Sequence, residues 1–176
     1  MKTIFDIDYN SEEIEFNYQN KLTRRLDILS GDFDQSVINE IVLWKINRYA
    51  ELNEPALTLL NQIKKRAKKI NLDLTRKILE ALLNTKGIKL PMASTILRFK
   101  NPNLYQIIDQ RAYRFIYKKE LKIPNRTAGQ IDLYLDYLSK LREVCVECNI
   151  PFHHSDRILY SLDKKHNKND KLKGYI

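Results

Sequence analysis

The stretch that decides the fold is NTKGIKLPMASTILRF, residues 84–99. Gly87 is one of only four glycines in a chain of 176 residues, and it stands between Lys86 and Lys89. Pro91 then begins an apolar helical pattern. Glycine is favoured where a helix ends, and proline is favoured in the first turn of a helix. The stretch therefore predicts two helices joined by a tight glycine turn.

The rest of the chain also indicates helix. Four glycines and five prolines are too few turn formers for a many-stranded β fold. Helical periodicity predicts a single compact all-α domain over residues 1–176, with about eight helices and the last ones at about 127–165. The third helix is predicted to run on to about residue 70. Capping residues and prolines predict helix starts at an Asn10–Glu13 capping box, Asp34 or Ser36, Pro55, Asp73, Pro91, Asp109 and Thr127.

Charge favours a polyanionic partner. The formal net charge is +9, and residues 61–77 contain many basic residues but only one acidic residue, Asp73. The hairpin adds to this, because N–H groups at the start of a helix bind phosphate and Lys86 and Lys89 supply positive charge. Two alternatives stay open: an ordinary helical corner with solvated lysines, and a protein-interaction domain whose charge is only compositional.

Asp109 extends the pattern beyond a hairpin. The order of hairpin, apolar helix, short loop and aspartate resembles the helix–hairpin–helix superfamily of DNA glycosylases, over about residues 33–115. In that superfamily a hairpin of the pattern L-P-G-φ-G-x-x-x-A, where φ is apolar, grips the DNA backbone. Gly87, Ile88 and Ala93 match its first glycine, apolar residue and alanine. Asp109 matches the family's catalytic aspartate, which faces a flipped nucleotide from a helix N-terminus.

The resemblance implies a monofunctional DNA N-glycosylase of the base-excision repair type, which removes a modified base. Lys89 departs from the pattern because it replaces the second hairpin glycine. Bifunctional members carry a Schiff-base lysine where this chain has Pro91, so lyase chemistry through that residue is excluded. Some members hold an iron–sulfur cluster on four cysteines, but this chain has only Cys145 and Cys148. We expect no cofactor.

The resemblance and the charge pattern together assign the site residues. Asp109 would be the catalytic carboxylate, stabilising positive charge on the sugar and activating water, although aspartate is also a common helix cap. The DNA-binding residues would be Lys64, Lys65, Arg66, Lys86, Gly87, Ile88, Lys89, Arg98 and Arg111. The walls of a base pocket would come from Trp44, Lys45, Tyr105 and Tyr113.

CVECNIPFHH, residues 145–154, offers a rival site. Cys-x-x-Cys followed by histidines can bind zinc, but Cys145 and Cys148 lie on one face of an apolar helix, where cysteine packs as a small hydrophobe. We therefore expect no metal site.

The sequence also gives expectations for compartment and partners. Asp6 and Asp8 interrupt any signal-peptide core, so the cysteines should be reduced and the protein cytoplasmic. No apolar run is long enough to span a membrane. The expected partner is double-stranded DNA, bound by a monomer. A non-catalytic helix–hairpin–helix nucleic-acid-binding protein is the alternative function.

Overall fold

The computed structural model describes residues 18–30, 32–46, 49–170 and 172. Eight α-helices and one short 3₁₀ turn account for the regular structure of these residues, and they contain no strand. The all-α prediction is confirmed. The helices are α1 (Asn20–Asp27), α2 (Gln35–Lys45), α3 (Glu54–Asn61), α4 (Leu72–Leu83), α5 (Leu90–Lys100), α6 (Gln110–Tyr117), α7 (Thr127–Glu147) and α8 (Ser155–His166), with the 3₁₀ turn Phe152–His154 before α8.

Contacts within the chain divide it into two compact units, residues 1–49 and 50–176. The first unit contains α1 and α2, and the second contains α3 to α8. The prediction of one domain over the whole chain stays a prediction.

Side-chain caps explain most helix starts. Asp34 caps α2 by accepting a hydrogen bond from the Val37 N–H group, as the sequence predicts. Asn53 caps α3 and places Pro55 in its first turn. The fourth helix differs from expectation, because Asn71 caps α4 and the predicted cap, Asp73, lies in the first turn. The predicted Asn10–Glu13 capping box lies outside the described residues.

The third helix is shorter than predicted. It ends at Asn61, and the basic residues that follow form a non-helical loop. Buried Asn101 donates hydrogen bonds to the backbone carbonyls of Lys64 (2.9 Å) and Ala67 (3.1 Å). These bonds satisfy carbonyls that an extended helix would have used internally, so a distant side chain fixes the loop.

The long helix α7 forms the centre of the second unit. Tyr134, Tyr137, Leu138 and Leu141 of α7 are fully or almost fully buried among residues of α4, α5 and α6. Two of these tyrosines also use their hydroxyl groups: Tyr134 donates to the Gln106 carbonyl (2.9 Å), and Tyr137 donates to the Ile107 carbonyl (3.1 Å). α7 therefore holds the segment that leads to Asp109.

Candidate nucleic-acid interface and the Asp109 cavity

The hairpin consists of α4, the turn at residues 84–89 and α5. Gly87 has a φ of 87°, a left-handed conformation that glycine adopts without steric cost. Ile88 is buried and anchors the turn, whereas Lys86, Gly87 and Lys89 are exposed. Lys89 precedes α5 without making a side-chain cap. The hairpin thus presents two ammonium groups next to uncapped N–H groups at a helix N-terminus, which is an arrangement suited to phosphate.

Asp109 caps α6, as the sequence predicts. Its Oδ1 atom accepts hydrogen bonds from the backbone N–H groups of Arg111 (2.7 Å) and Ala112 (2.9 Å). No described residue donates to the other oxygen, Oδ2. Burial raises the pKa of Asp109, the two N–H groups partly oppose the rise, and the charges of Asp156 and Asp163 add to it. A carboxylate with a raised pKa is the stronger base toward a water molecule.

The backbone before Asp109 is non-helical and held by side chains. The Ile108 N–H group donates to Ser94 Oγ of α5 (3.2 Å), and the Arg142 guanidinium of α7 donates to the Leu104 carbonyl (2.8 Å). Together with the two tyrosines of α7, these contacts satisfy buried polar groups that lack helical partners. Ser94 lies on α5, the helix that follows the hairpin turn, so α5 connects the hairpin to the segment that leads to Asp109.

A cavity of about 410 Å³ lies beside Asp109. Its volume is within the range of about 300–1,000 Å³ that is usual for ligand pockets. The walls offer carboxylates, an aromatic ring, a hydroxyl group and an apolar side chain, and they are formed by Ile107, Asp109, Asp156, Arg157, Tyr160 and Ser161. A planar ligand could find a stacking surface, an apolar contact and hydrogen-bond acceptors here.

Four of these six residues belong to α8, which the sequence did not indicate as part of the site. Asp156, Tyr160 and Asp163 are spaced by four and three positions, so they share one face of the helix. Asp156 and Asp163 are buried, which is unusual for aspartate. The sequence signal for this part of the site would have been the two aspartates, Asp156 and Asp163, on the face of α8 that also carries buried Leu159.

Arg98, which the sequence assigns to DNA binding, is engaged inside the protein. It is 7 % exposed, its Nε atom lies 3.3 Å from Asp156 Oδ2, and its Nη2 atom donates to the His153 carbonyl at 3.3 Å. The guanidinium is therefore used inside the protein, where it joins α5 to the start of α8.

Arg111 is also engaged internally. It donates to Asp163 at 3.1 Å and lies 5.7 Å from the Tyr160 ring centroid, so its charge is largely compensated. Arg114 binds the same carboxylate with two hydrogen bonds of 2.9 and 2.7 Å. Burial opposes ionisation of Asp163, but hydrogen bonds from Arg114 and Asn167 and the charge of Arg114 outweigh it, so the pKa of Asp163 is lowered. This cluster fastens α8 to α6.

Two predicted pocket residues are core residues instead. Tyr105 is 2 % exposed, and its hydroxyl group is hydrogen-bonded to Thr75 of α4 at 2.7 Å. Tyr113 is buried and stacks on Tyr117 with ring centroids 4.3 Å apart. Neither residue lines the cavity, because both rings are covered by neighbouring helices.

Trp44 and Lys45 lie at the end of α2, in the first unit. The Trp44 indole donates to Thr23 Oγ1 (2.9 Å) and meets Tyr18 edge to face, with centroids 5.1 Å apart. These contacts join α2 to α1 and to Tyr18 before it. Lys45 is exposed. Their assignment to a base pocket stays a prediction.

The remaining predicted cations are accessible. Lys64, Lys65 and Arg66 are exposed on the loop after α3. Asn101, which pins this loop, directly follows α5, so the loop lies at the C-terminal end of that helix and the hairpin lies at its N-terminal end. With a rise of 1.5 Å per residue, the 11 residues of α5 separate the two basic groups by about 16 Å.

Cys145 and Cys148 differ in their exposure to solvent. Cys145 is buried and Cys148 is exposed, and neither is in a disulfide. Within the described residues, no three His, Cys, Asp or Glu side chains are grouped so that they could hold a metal ion.

Comparison of the chain with protein-family models, with curated proteins and with solved structures finds no match. None of the helices in the described part of the chain combines the length and the apolar character needed to cross a membrane. A functional assignment therefore depends on the residues of this chain.

Proposed function

We propose that the protein is a monofunctional DNA N-glycosylase that acts on double-stranded DNA as a cytoplasmic monomer. The observation that carries the proposal is the position of Asp109. One of its carboxylate oxygens caps α6, and the residue lines a cavity large enough for a ligand. The segment before it is hydrogen-bonded to α5, the helix that follows a glycine turn with exposed lysines.

The chemistry follows from the charge of Asp109. Breaking the bond between a base and C1′ of deoxyribose develops positive charge on the sugar. A carboxylate held by two backbone N–H groups is pre-organised to stabilise that charge. It can also accept the proton of the attacking water, since its pKa is raised by burial.

The cavity fits a nucleotide that has left the base stack. Enzymes that act on a base rotate it into a pocket with stacking and hydrogen-bonding surfaces. Tyr160 supplies an aromatic ring, Ile107 an apolar contact and Ser161 a hydroxyl group. Lys86 and Lys89 at the hairpin, and the basic loop 64–66, would hold the flanking phosphates from the two ends of α5.

Pro91 determines which product is expected. It lies in the first turn of α5 and has no amine, so a Schiff base cannot form there. The reaction should end at an abasic site, without strand cleavage through a hairpin residue.

A panel of duplexes tests the proposal. Each duplex carries one alkylated, oxidised or bulky base in an otherwise identical sequence, and the unmodified duplex is the control. We expect release of a free base from at least one modified duplex and none from the control. Binding of every duplex without release from any would contradict the proposal and favour the non-catalytic nucleic-acid-binding alternative.

A further inference from the structure

The outer face of α8 carries positive charge without an acidic partner. We define this face by four exposed residues that follow one another at helical spacing: Arg157, Tyr160, Ser161 and Lys164. Within the described part of the chain, neither the Arg157 guanidinium nor the Lys164 ammonium forms an ion pair. Protein surfaces usually mix both signs of charge, and oppositely charged residues three or four positions apart attract each other on a helix. The outer face of α8 departs from this arrangement.

The acidic residues of α8 cannot offset these charges, because they face the protein interior. α8 contains two acidic residues, Asp156 and Asp163, and both are buried. Their partners are internal arginines: Arg98 faces Asp156, and Arg111 and Arg114 both contact Asp163. The buried carboxylates are therefore occupied inside the protein, and the two outer cations are left to bind an anion from solution.

The outer face of α8 borders the Asp109 cavity. Arg157, Tyr160 and Ser161 line the cavity together with Asp109. Lys164 follows one turn later, and its Nζ atom lies 5.8 Å from the centroid of the Tyr160 ring. With a rise of 1.5 Å per residue, Arg157 and Lys164 are separated by about 10 Å along α8, with Tyr160 between them. The two cations thus lie where a chain with repeated negative charges can bind while one of its units enters the cavity.

We propose that Arg157 and Lys164 bind the phosphates next to the nucleotide whose base enters the Asp109 cavity. The inference rests on the proposed function. The ligand is the sugar–phosphate chain of DNA, because its phosphates are regularly repeated anions and both guanidinium and ammonium groups bind phosphate oxygens. The hairpin and the basic loop hold the duplex, and α8 supplies the contacts at the cavity that the sequence had assigned to Arg98 and Arg111.

The double variant Arg157→Gln with Lys164→Gln tests this inference. Both side chains are exposed, and Asp156 keeps its hydrogen bond from the backbone N–H group of residue 157, so the fold should be retained. The matched control is Lys77→Gln with Arg126→Gln. It removes the same charge from exposed residues that lie outside the cavity and form no ion pair within the described residues.

The first measurement is the salt dependence of binding. The probe is a short duplex with one mismatched base pair, because a mismatched nucleotide leaves the base stack at low cost. The α8 double variant should reduce the slope of log K against log salt by up to about 1.8, and weaken binding by up to about 30-fold at about 0.15 M salt. The control variant should keep the slope and the affinity of the wild type.

The second measurement locates the contact on the DNA. Methylphosphonate replaces the phosphates beside the mismatched nucleotide and removes their charge, and the same replacement far from the mismatch is the control duplex. The replacement beside the mismatch should weaken binding of the wild type and of the control variant. It should have little further effect on the α8 double variant, because the two changes remove opposite sides of the same contacts.

An α8 double variant with the wild-type salt slope, or with the wild-type loss of affinity on the methylphosphonate duplex, would overturn the inference. Wild-type binding that is equally sensitive to the near and the distant replacement would overturn it as well. Neither result bears on base release, which tests the proposed function separately on the panel of modified duplexes. A wild type that binds none of the duplexes would overturn both.

Discussion

Loss of the Asp163 carboxylate should detach α8 from α6 and remove most of the cavity. Asp163 is fully buried and accepts four hydrogen bonds: two from Arg114, one from Arg111 and one from Asn167. Asp163→Ala removes the buried carboxylate that the guanidinium groups of Arg111 and Arg114 both contact. Breaking one side of a buried ion pair costs about 3–5 kcal/mol. At about 2–4 °C per kcal/mol for a chain of this size, the melting temperature should fall by about 6–20 °C.

The pH dependence of this effect has a defined sign. Because the pKa of Asp163 is lowered in the folded state, its contribution to stability is complete above the unfolded pKa and is lost as pH falls through the folded pKa. The difference in unfolding free energy between the wild type and Asp163→Ala should therefore shrink in acid. Urea unfolding followed by circular dichroism at neutral and acidic pH measures it.

Asp132→Ala is the control for the Asp163 prediction. It breaks an exposed pair with Arg76, and such pairs contribute about 0–1 kcal/mol. An Asp163→Ala variant whose unfolding free energy stays within about 1 kcal/mol of the wild type would refute the reasoning. Base release should also be lost in this variant, because α8 supplies Asp156, Arg157, Tyr160 and Ser161 to the cavity.

Three further predictions concern the hairpin, the basic loop and the cap of α6. Gly87→Ala should lower the unfolding free energy by about 1–2 kcal/mol and weaken DNA binding, since its φ of 87° is unfavourable for alanine; urea unfolding and fluorescence anisotropy measure the two effects. Replacing Lys64, Lys65 and Arg66 together by alanine should reduce the slope of log K against log salt by up to about 2.7, and an unchanged slope would exclude the loop from the interface. Asp109→Ala removes the cap and should lower the unfolding free energy by about 0.5–2 kcal/mol. Asp109→Asn keeps the cap and removes a charge that burial destabilises at neutral pH, so its melting temperature there should equal or exceed that of the wild type.

Local sequence signals were sufficient for most of the helix starts. Asp34, Pro55, Pro91 and Asp109 all mark the first turn or the cap of a helix as predicted, because capping is an interaction over two or three residues. The end of α3 was not predictable in the same way. It is fixed by Asn101, whose side chain reaches a loop 34 and 37 positions earlier in the chain.

The same difference between local and distant contacts applies to the candidate site. The cap at Asp109 and the glycine turn could be derived from neighbouring residues, whereas the partners of Arg98 and Arg111 could not. Arg111 pairs with a carboxylate 52 positions away, and Arg98 bonds a carbonyl 55 positions away. From sequence both arginines belong to a basic surface, and only the packing of α8 shows that their charges are compensated inside the protein.

The most direct test of the proposed function compares Asp109→Asn with the double variant Lys86→Ala and Lys89→Ala. Base release is measured in single turnovers at saturating enzyme, and affinity for the same duplex is measured separately. The Asp109 variant should release base about 10²–10³-fold more slowly while binding as well as the wild type or slightly better. The lysine variant should bind more weakly and release base at nearly the wild-type rate once the duplex is saturated. A folded Asp109→Asn protein that releases base as fast as the wild type would contradict the assignment and reduce Asp109 to a helix cap.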